Sequence, residues 1–241
     1  MGEYVFFKFR EINKYLIDAL VNGTIYFASP RQLNDPFDCR VDIKKSATQA
    51  IGQLSGKKKQ ILTKLASMDG YLDQIQKDTS NVGVCSFSLI LNDSLLWAHY
   101  ANQHRGLCLT YDFPESFLNN PDEILGVAPV GYEDNSMTKW FIDNTPTEET
   151  DFKEFTLEIV KKVLTIKSHA WGYEKEVRII RMESGPFDIE KRYLKQVCFG
   201  LDTTESDIDL IRKLVDYAGY SVKYCNIERC QSDFGIEAKE I

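Results

Sequence analysis

Neither glycine-rich phosphate loop occurs in the chain. G-x-G-x-x-G and G-x-x-x-x-G-K-[ST] are both missing from its 241 residues. A dinucleotide-binding Rossmann sheet and a P-loop therefore lack the glycines that let backbone approach a phosphate. Histidine is scarce, with three in all and no H-E-x-x-H, and the six cysteines include no C-x-x-C pair. No metal site is expected from such a set. No G-x-S-x-G elbow surrounds any serine, which removes the common hydrolase nucleophile. No apolar run approaches the roughly 20 residues that a membrane helix needs. The opening MGEYVFFKFREINKYL mixes charges among apolar residues and fits neither a secretory pattern nor myristoylation. A formal net charge of -7 argues against whole-molecule attraction to nucleic acid, though it leaves room for a local basic groove. A cytoplasmic protein without a membrane partner is the expectation. Cys85, Cys108 and Cys198 lie in apolar runs and read as small buried hydrophobes.

Hydrophobic residues make up 43% and charged residues 27%, a soluble globule able to bury a core. The length suits a single domain over 1–241. VFFKF reads as a first strand. EINKYLIDALVNG then places Ile12, Tyr15, Leu16, Ala19 and Leu20 at helical spacing, with Gly23 as a stop. TIYFA, VGVCSFSL, GLCLTYDF, ILGVAPVGYE, EVRII, KQVCFG and SVKYCNI read as further strands. Helices are expected at NDSLLWAHY, capped by Asn92 or Asp93, at TDFKEFTLEIVKKVLTI, and over about 206–217. Residues 44–80 are polar and lysine-rich and read as a weakly helical insert or flap. Strands and helices interleave without strict alternation, so an α+β fold with a mixed or antiparallel sheet and flanking helices is expected.

Chemistry concentrates in a few short stretches. WGYEKEVRII carries Glu174 and Glu176 two apart, which on a strand would face one cleft. Two like charges so close raise one pKa, useful in catalysis and wasteful for stability. The plain rivals are a solvated strand edge and an internal contact with Arg178, which shares their face. Arg10 ends an apolar strand and offers a planar fork for phosphate or carboxylate, or a surface ion pair. Ser86 and Ser88 alternate with Cys85 and Phe87, so the two hydroxyls share a face and can orient a ribose or a carboxylate, or bond backbone. His99, Tyr100 and His104 mark the polar helix end LLWAHYANQHRG, a ligand rim or a core-packing turn. LNDPFDC is a turn in which Asp35 or Asp38 can hold Arg10 or Arg31.

Taken together, GTIYFASPRQLNDPFD, VCSFS, LLWAHYANQHRGLCLTYDF and WGYEKEVRII resemble the DUF2971 family, a domain of unknown function, over residues 4 to about 182. A more distant resemblance is to the R-S-E class of ADP-ribosyltransferases, in the order Arg10, Ser86 with Ser88, and Glu174 with Glu176. That resemblance implies an ADP-ribosyltransferase-like fold and mono-ADP-ribosyl transfer from NAD, with a setting in bacterial or phage conflict. Arg10 would grip the phosphates, and Ser86, Ser88, Tyr100 and His99 would support the NAD pocket. Glu176 would stabilise the oxocarbenium-like transition state, and Glu174 would orient or deprotonate an acceptor, a protein or a nucleic acid. Phe87 departs from the Ser-Thr-Ser pattern of that class, and the spacing from Ser88 to Glu174 is long. Two other classes stay open. One is a non-enzymatic ligand-binding or sensor module with NDPFD and HYANQHRG as its rim. The other is a metal-independent nucleic-acid-processing enzyme using Arg10, His99, His104 and Glu176, with GKKKQ contacting phosphate.

Overall fold

The computed structural model describes residues 4–133, 137–148, 152–231 and 234–241. The first third contains β1 (Tyr4–Arg10), α1 (Lys14–Asn22), β2 (Thr24–Phe27), three helices α2 (Ile43–Gln53), α3 (Gly56–Ser67) and α4 (Tyr71–Asn81), then β3 (Gly83–Ser88). The middle holds α5 (Ser94–Tyr100), β4 (Leu107–Phe113), α6 (Glu115–Leu118), β5 (Gly126–Pro129), β6 (Gly131–Tyr132), α7 (Met137–Asn144), α8 (Phe152–Thr165) and β7 (Ile166–Lys167). After a 3-10 turn at His169–Glu174 come β8 (Glu176–Arg181), β9 (Gly185–Asp188), β10 (Leu194–Phe199), α9 (Glu205–Tyr217), β11 (Lys223–Arg229) and β12 (Ile236–Glu240).

Eight strands form the main sheet in the order β12-β11-β10-β4-β1-β3-β8-β5. All its pairings are antiparallel except β10 with β11, which α9 connects. The fold is thus α+β with a large, mostly antiparallel sheet. Local signals explain the helix ends. Asn13 accepts hydrogen bonds from the Tyr15 and Leu16 amides at the start of α1, and Gly23 closes it at φ 71°, where a side chain would be strained. Asp93 caps α5 in the same way.

One face of the sheet packs Phe6, Phe87, Leu109, Val177 and Val197 against Leu16 and Leu20 of α1 and Ile208 and Ile211 of α9. The other face sets Phe9 and Cys108 against Leu96 and Trp97 of α5. Residues 44–80 form well-defined helices: α2, α3 and α4 join α7 and α8 around Ala47, Leu62, Leu65, Phe141, Phe155 and Ile159. Their apolar stripe is narrow and rich in alanine, so abundant lysine masks it in the sequence. Val84 and Ile180 meet Leu164 and Cys39 where this helical layer reaches the sheet. Cys198 departs from its expected role as a simple buried thiol. It lies opposite Cys225 on β10 and β11, and the two form a disulfide across 27 residues of sequence. Only the strand register brings them together.

Candidate functional site

The site begins at a split in the sheet. β1 follows β4 in register along its whole length, but it meets β3 at a single registered pair, Phe7 opposite Ser88. Beyond that pair β3 turns to Ala28, just after β2. The Ala28 amide donates to the Val84 carbonyl at 2.9 Å and the Val84 amide returns a bond at 2.8 Å. A cavity of about 280 Å³ opens between the diverging strands, walled by Phe7 to Arg10 on β1 and Ser86 to Ser88 on β3.

Strand alternation distributes charge across this split. Ser86, Ser88, Glu176 and Arg178 lie on one side, because Ser86 pairs with Arg178 and Ser88 with Glu176. Lys8 and Arg10 follow Phe6 to the opposite side. There they also line a second cavity of about 410 Å³, and the two cavities share Lys8, Arg10, Tyr26, Gln32 and Phe87. The Lys8 ammonium donates to the Ser86 carbonyl at 2.6 Å and lies 5.3 Å from the Phe87 ring centre. Among the described residues neither Lys8 nor Arg10 has a carboxylate partner.

Opposite them sits a buried charge cluster. Glu174 ends the 3-10 turn rather than starting the strand. Lys175 follows in the left-handed region at φ 45°, and Glu176 opens β8. Simple alternation therefore does not align the two acids; the bend at Lys175 and a shared ammonium do. Lys167 donates to Glu174 Oε2 at 2.6 Å and to Glu176 Oε2 at 3.2 Å, with Asp38 Oδ2 at 3.8 Å. Arg178 Nε donates to Glu176 Oε1 at 2.7 Å. Its two terminal nitrogens reach Asp38 at 2.9 and 2.6 Å and the Leu164 carbonyl at 2.7 Å. Arg178 is 0% exposed. The internal contact between Glu176 and Arg178 is thus present, and a solvated edge is not, since Glu174 and Glu176 are both buried.

The two carboxyl groups differ in proton affinity. Burial raises the Glu176 carboxyl, but the charge and hydrogen bonds of Arg178, with Lys167 and the Ser86 hydroxyl, overcome this and hold it at about 2. At Glu174 burial prevails over Lys167 and Tyr100 and leaves its pKa raised, with the Glu176 charge adding to the effect. Tyr100 donates a short hydrogen bond to Glu174 Oε1, and Asn34 Nδ2 donates to the Tyr100 oxygen at 3.2 Å. The Ser88 hydroxyl donates to the Glu174 carbonyl at 2.7 Å, and the Glu176 amide donates to Tyr132 Oη at 2.7 Å. The proton affinity of one carboxyl is thus lowered and that of its neighbour raised.

Of the residues singled out in the sequence, Arg10, Ser86, Ser88, Tyr100, Glu174 and Glu176 line the first cavity. His99 is not among its lining residues. It is exposed, pairs with the Tyr173 hydroxyl at 2.7 Å and packs edge-on to Tyr100. His104 lies outside the cavity, in a left-handed turn with Asn102 and Gln103. Asp38 holds Arg178 rather than Arg10 or Arg31. Lys8, Lys167, Asp38 and Tyr132 were not singled out as members of this site. A lysine in the apolar stretch LTIKSHA was the one visible hint of Lys167.

Residues 96–179 match the family model described as protein of unknown function, DUF2971. That segment is similar to the DUF2971 family. The DUF2971 match runs from Leu96 in α5 to Ile179 in β8, so it contains Tyr100, Lys167, Glu174, Glu176 and Arg178. Arg10, Asp38, Ser86 and Ser88 come from the chain before it. No curated protein and no solved structure matches the chain. Among the described residues no helix is long and apolar enough to cross a membrane, and no group of His, Cys, Asp or Glu is placed to hold a metal ion.

Proposed function

We propose that the chain is an ADP-ribosyltransferase-like protein that takes NAD as its substrate and transfers ADP-ribose to a protein or nucleic-acid acceptor. The observation that carries this reading is the polarity of one cleft. Lys8 and Arg10, without carboxylate partners among the described residues, stand at the junction of two cavities. Asp38, Glu174 and Glu176 outnumber Lys167 and Arg178 at the far wall. The substrate that complements this pairing has an anionic centre and a site of developing positive charge, as NAD has in its pyrophosphate and its nicotinamide ribose.

On this reading Lys8 and Arg10 hold the pyrophosphate through charge-assisted hydrogen bonds. Breaking the glycosidic bond sends its electron pair to the nicotinamide nitrogen and leaves positive charge on the sugar. Glu176, ionised across the physiological range and itself buried at the cavity wall, faces that charge. The acceptor's nucleophile forms the new bond to the anomeric carbon, and its proton passes to Glu174, whose raised pKa suits a base.

A second reading has one specific observation in its favour. Both Glu176 oxygens already accept from Arg178 and Lys167, which suits a ligand-binding or sensor module that performs no chemistry. Labelled NAD, candidate acceptors and calorimetry separate the two. Transfer by the wild type and its loss in Glu176→Gln support the enzyme. Binding without turnover favours the module, and no NAD binding at millimolar concentration overturns the transferase reading and leaves a module for another ligand.

A further inference from the structure

Lys167 is a buried lysine that the sequence did not mark as functional. It ends α8's run directly into β7, where Tyr132 on β6 is its registered neighbour. Its side chain is 4% exposed and its ammonium lies 4.6 Å from the Trp171 ring centre. Charge neutralisation accounts for it at Glu174 but not at Glu176 or Asp38. Arg178 already grips Asp38 with two nitrogens and Glu176 with two more bonds. Replacing a whole buried ion cluster by well-packed apolar side chains is often neutral for stability, so its retention points to a role beyond folding. Among the described residues, Lys167 alone touches both glutamates from one atom while lining the cavity.

We infer that Lys167 is the positioning residue of this site, clamping Glu174 and Glu176 side by side at the cavity wall. This rests on the ADP-ribosyl transfer reading. Unclamped, Glu174 is tied only through Tyr100 and its own backbone, and Glu176 swings with Arg178. The groups facing the ammonium are Glu174 from the turn, Glu176 from β8 and Asp38 from the loop after β2; Arg178 acts on it through Glu176 and Asp38, and Tyr132 on β6 is bonded to the Glu176 amide. Tyr100 from α5 acts through Glu174. Removing the one positive charge that both glutamates share raises the proton affinity of Glu176. Activity that needs Glu176 ionised then fails at a higher pH.

The test is Lys167→Met in the full chain, with Lys167→Gln in its place should the methionine variant not fold. Expected are an NAD affinity within about threefold of wild type, a kcat lowered by roughly 100-fold, and an acid limb of the kcat profile displaced upward in pH. Lys167→Arg restores the wild-type limb. A kcat that falls with the limb unmoved marks a merely structural lysine and overturns the inference. Carbon-13 titration of the Glu174 and Glu176 carboxyls provides a second readout independent of turnover. Upward displacement of the Glu176 titration in the variant supports the clamp, and unmoved titrations of both groups refute it. A wild type that neither binds nor cleaves NAD, with displaced titrations in the variant, removes the transfer reading while the clamp stands.

Discussion

Glu176→Gln isolates a charge while keeping a side chain of the same shape. In the folded chain the Glu176 carboxyl is held at about 2 against an ordinary 4.5, and each tenfold change in proton affinity is worth about 1.4 kcal/mol. The folded pKa is depressed, so the stabilisation is complete above 4.5 and is lost as pH falls through the folded value. At pH 7 the carboxylate therefore contributes about 3 kcal/mol, in line with the roughly 3–5 kcal/mol seen on breaking a buried ion pair. At pH 3.5 the unfolded state is mostly protonated while the folded carboxylate still holds its charge, and the contribution drops to about 2 kcal/mol. Glutamine accepts a hydrogen bond from Arg178 Nε but offers Lys167 no charge. Urea unfolding of wild type and variant at the two pH values measures the difference directly. A destabilisation below about 1 kcal/mol at pH 7, or one equal at both pH values, refutes the idea that charge pairing holds Glu176.

Arg10→Gln removes a cation that makes no ion pair among the described residues. Its thermal midpoint should stay at the wild-type value while NAD affinity by calorimetry falls roughly 10- to 100-fold, the worth of a hydrogen bond to a charged group. Lys175→Gly relieves a left-handed residue at φ 45° and should raise the unfolding free energy by up to about 1 kcal/mol, moving the urea midpoint up. An unchanged or lowered midpoint there means that the lysine side chain contributes more than its backbone costs. Phe155→Ala opens the helical core beside Trp140 and Phe141 and should cost about 3–5 kcal/mol in unfolding free energy, far more than a surface flap would.

The sheet was largely legible because its strands alternate and its helices carry caps. Cys85, Phe87, Val177 and Ile179 point to the core with Ser86, Ser88, Glu176 and Arg178 on the reverse, as a period of two requires. β9 was missed because GPFD begins with a glycine and a proline and shows no alternation. The candidate site was legible only along the chain. Glu174 and Glu176 are visible as a pair, whereas Asp38, Lys167 and Arg178 meet across 140 residues of sequence. Arg178 did betray itself in part: an arginine flanked by valine and isoleucine in a central strand must find partners when buried. Its partners lay in elements whose relative placement no local pattern encodes.

Burying five charged groups at a sheet face costs desolvation that ion pairing at best offsets. Stability alone therefore does not explain why β3 and β8 change from Val84 and Ile180 to Ser86 and Arg178 and then to Ser88 and Glu176. The change coincides with the point where β1 leaves β3. A sheet that stayed closed there would bury the acids against β1 and leave Lys8 and Arg10 isolated on the opposite side. Opening the strands instead lets both charge sets face one cleft, with the cations on one side of the split and the acids on the other. On the ADP-ribosyl transfer reading, the split is what opens Glu174 and Glu176 to the NAD substrate. Restoring β1 to β3 pairing, for example by an engineered disulfide between the two strands near Phe9 and Ser86, should abolish NAD binding while raising the thermal midpoint. Retained binding in such a closed variant would place the ligand elsewhere on the molecule.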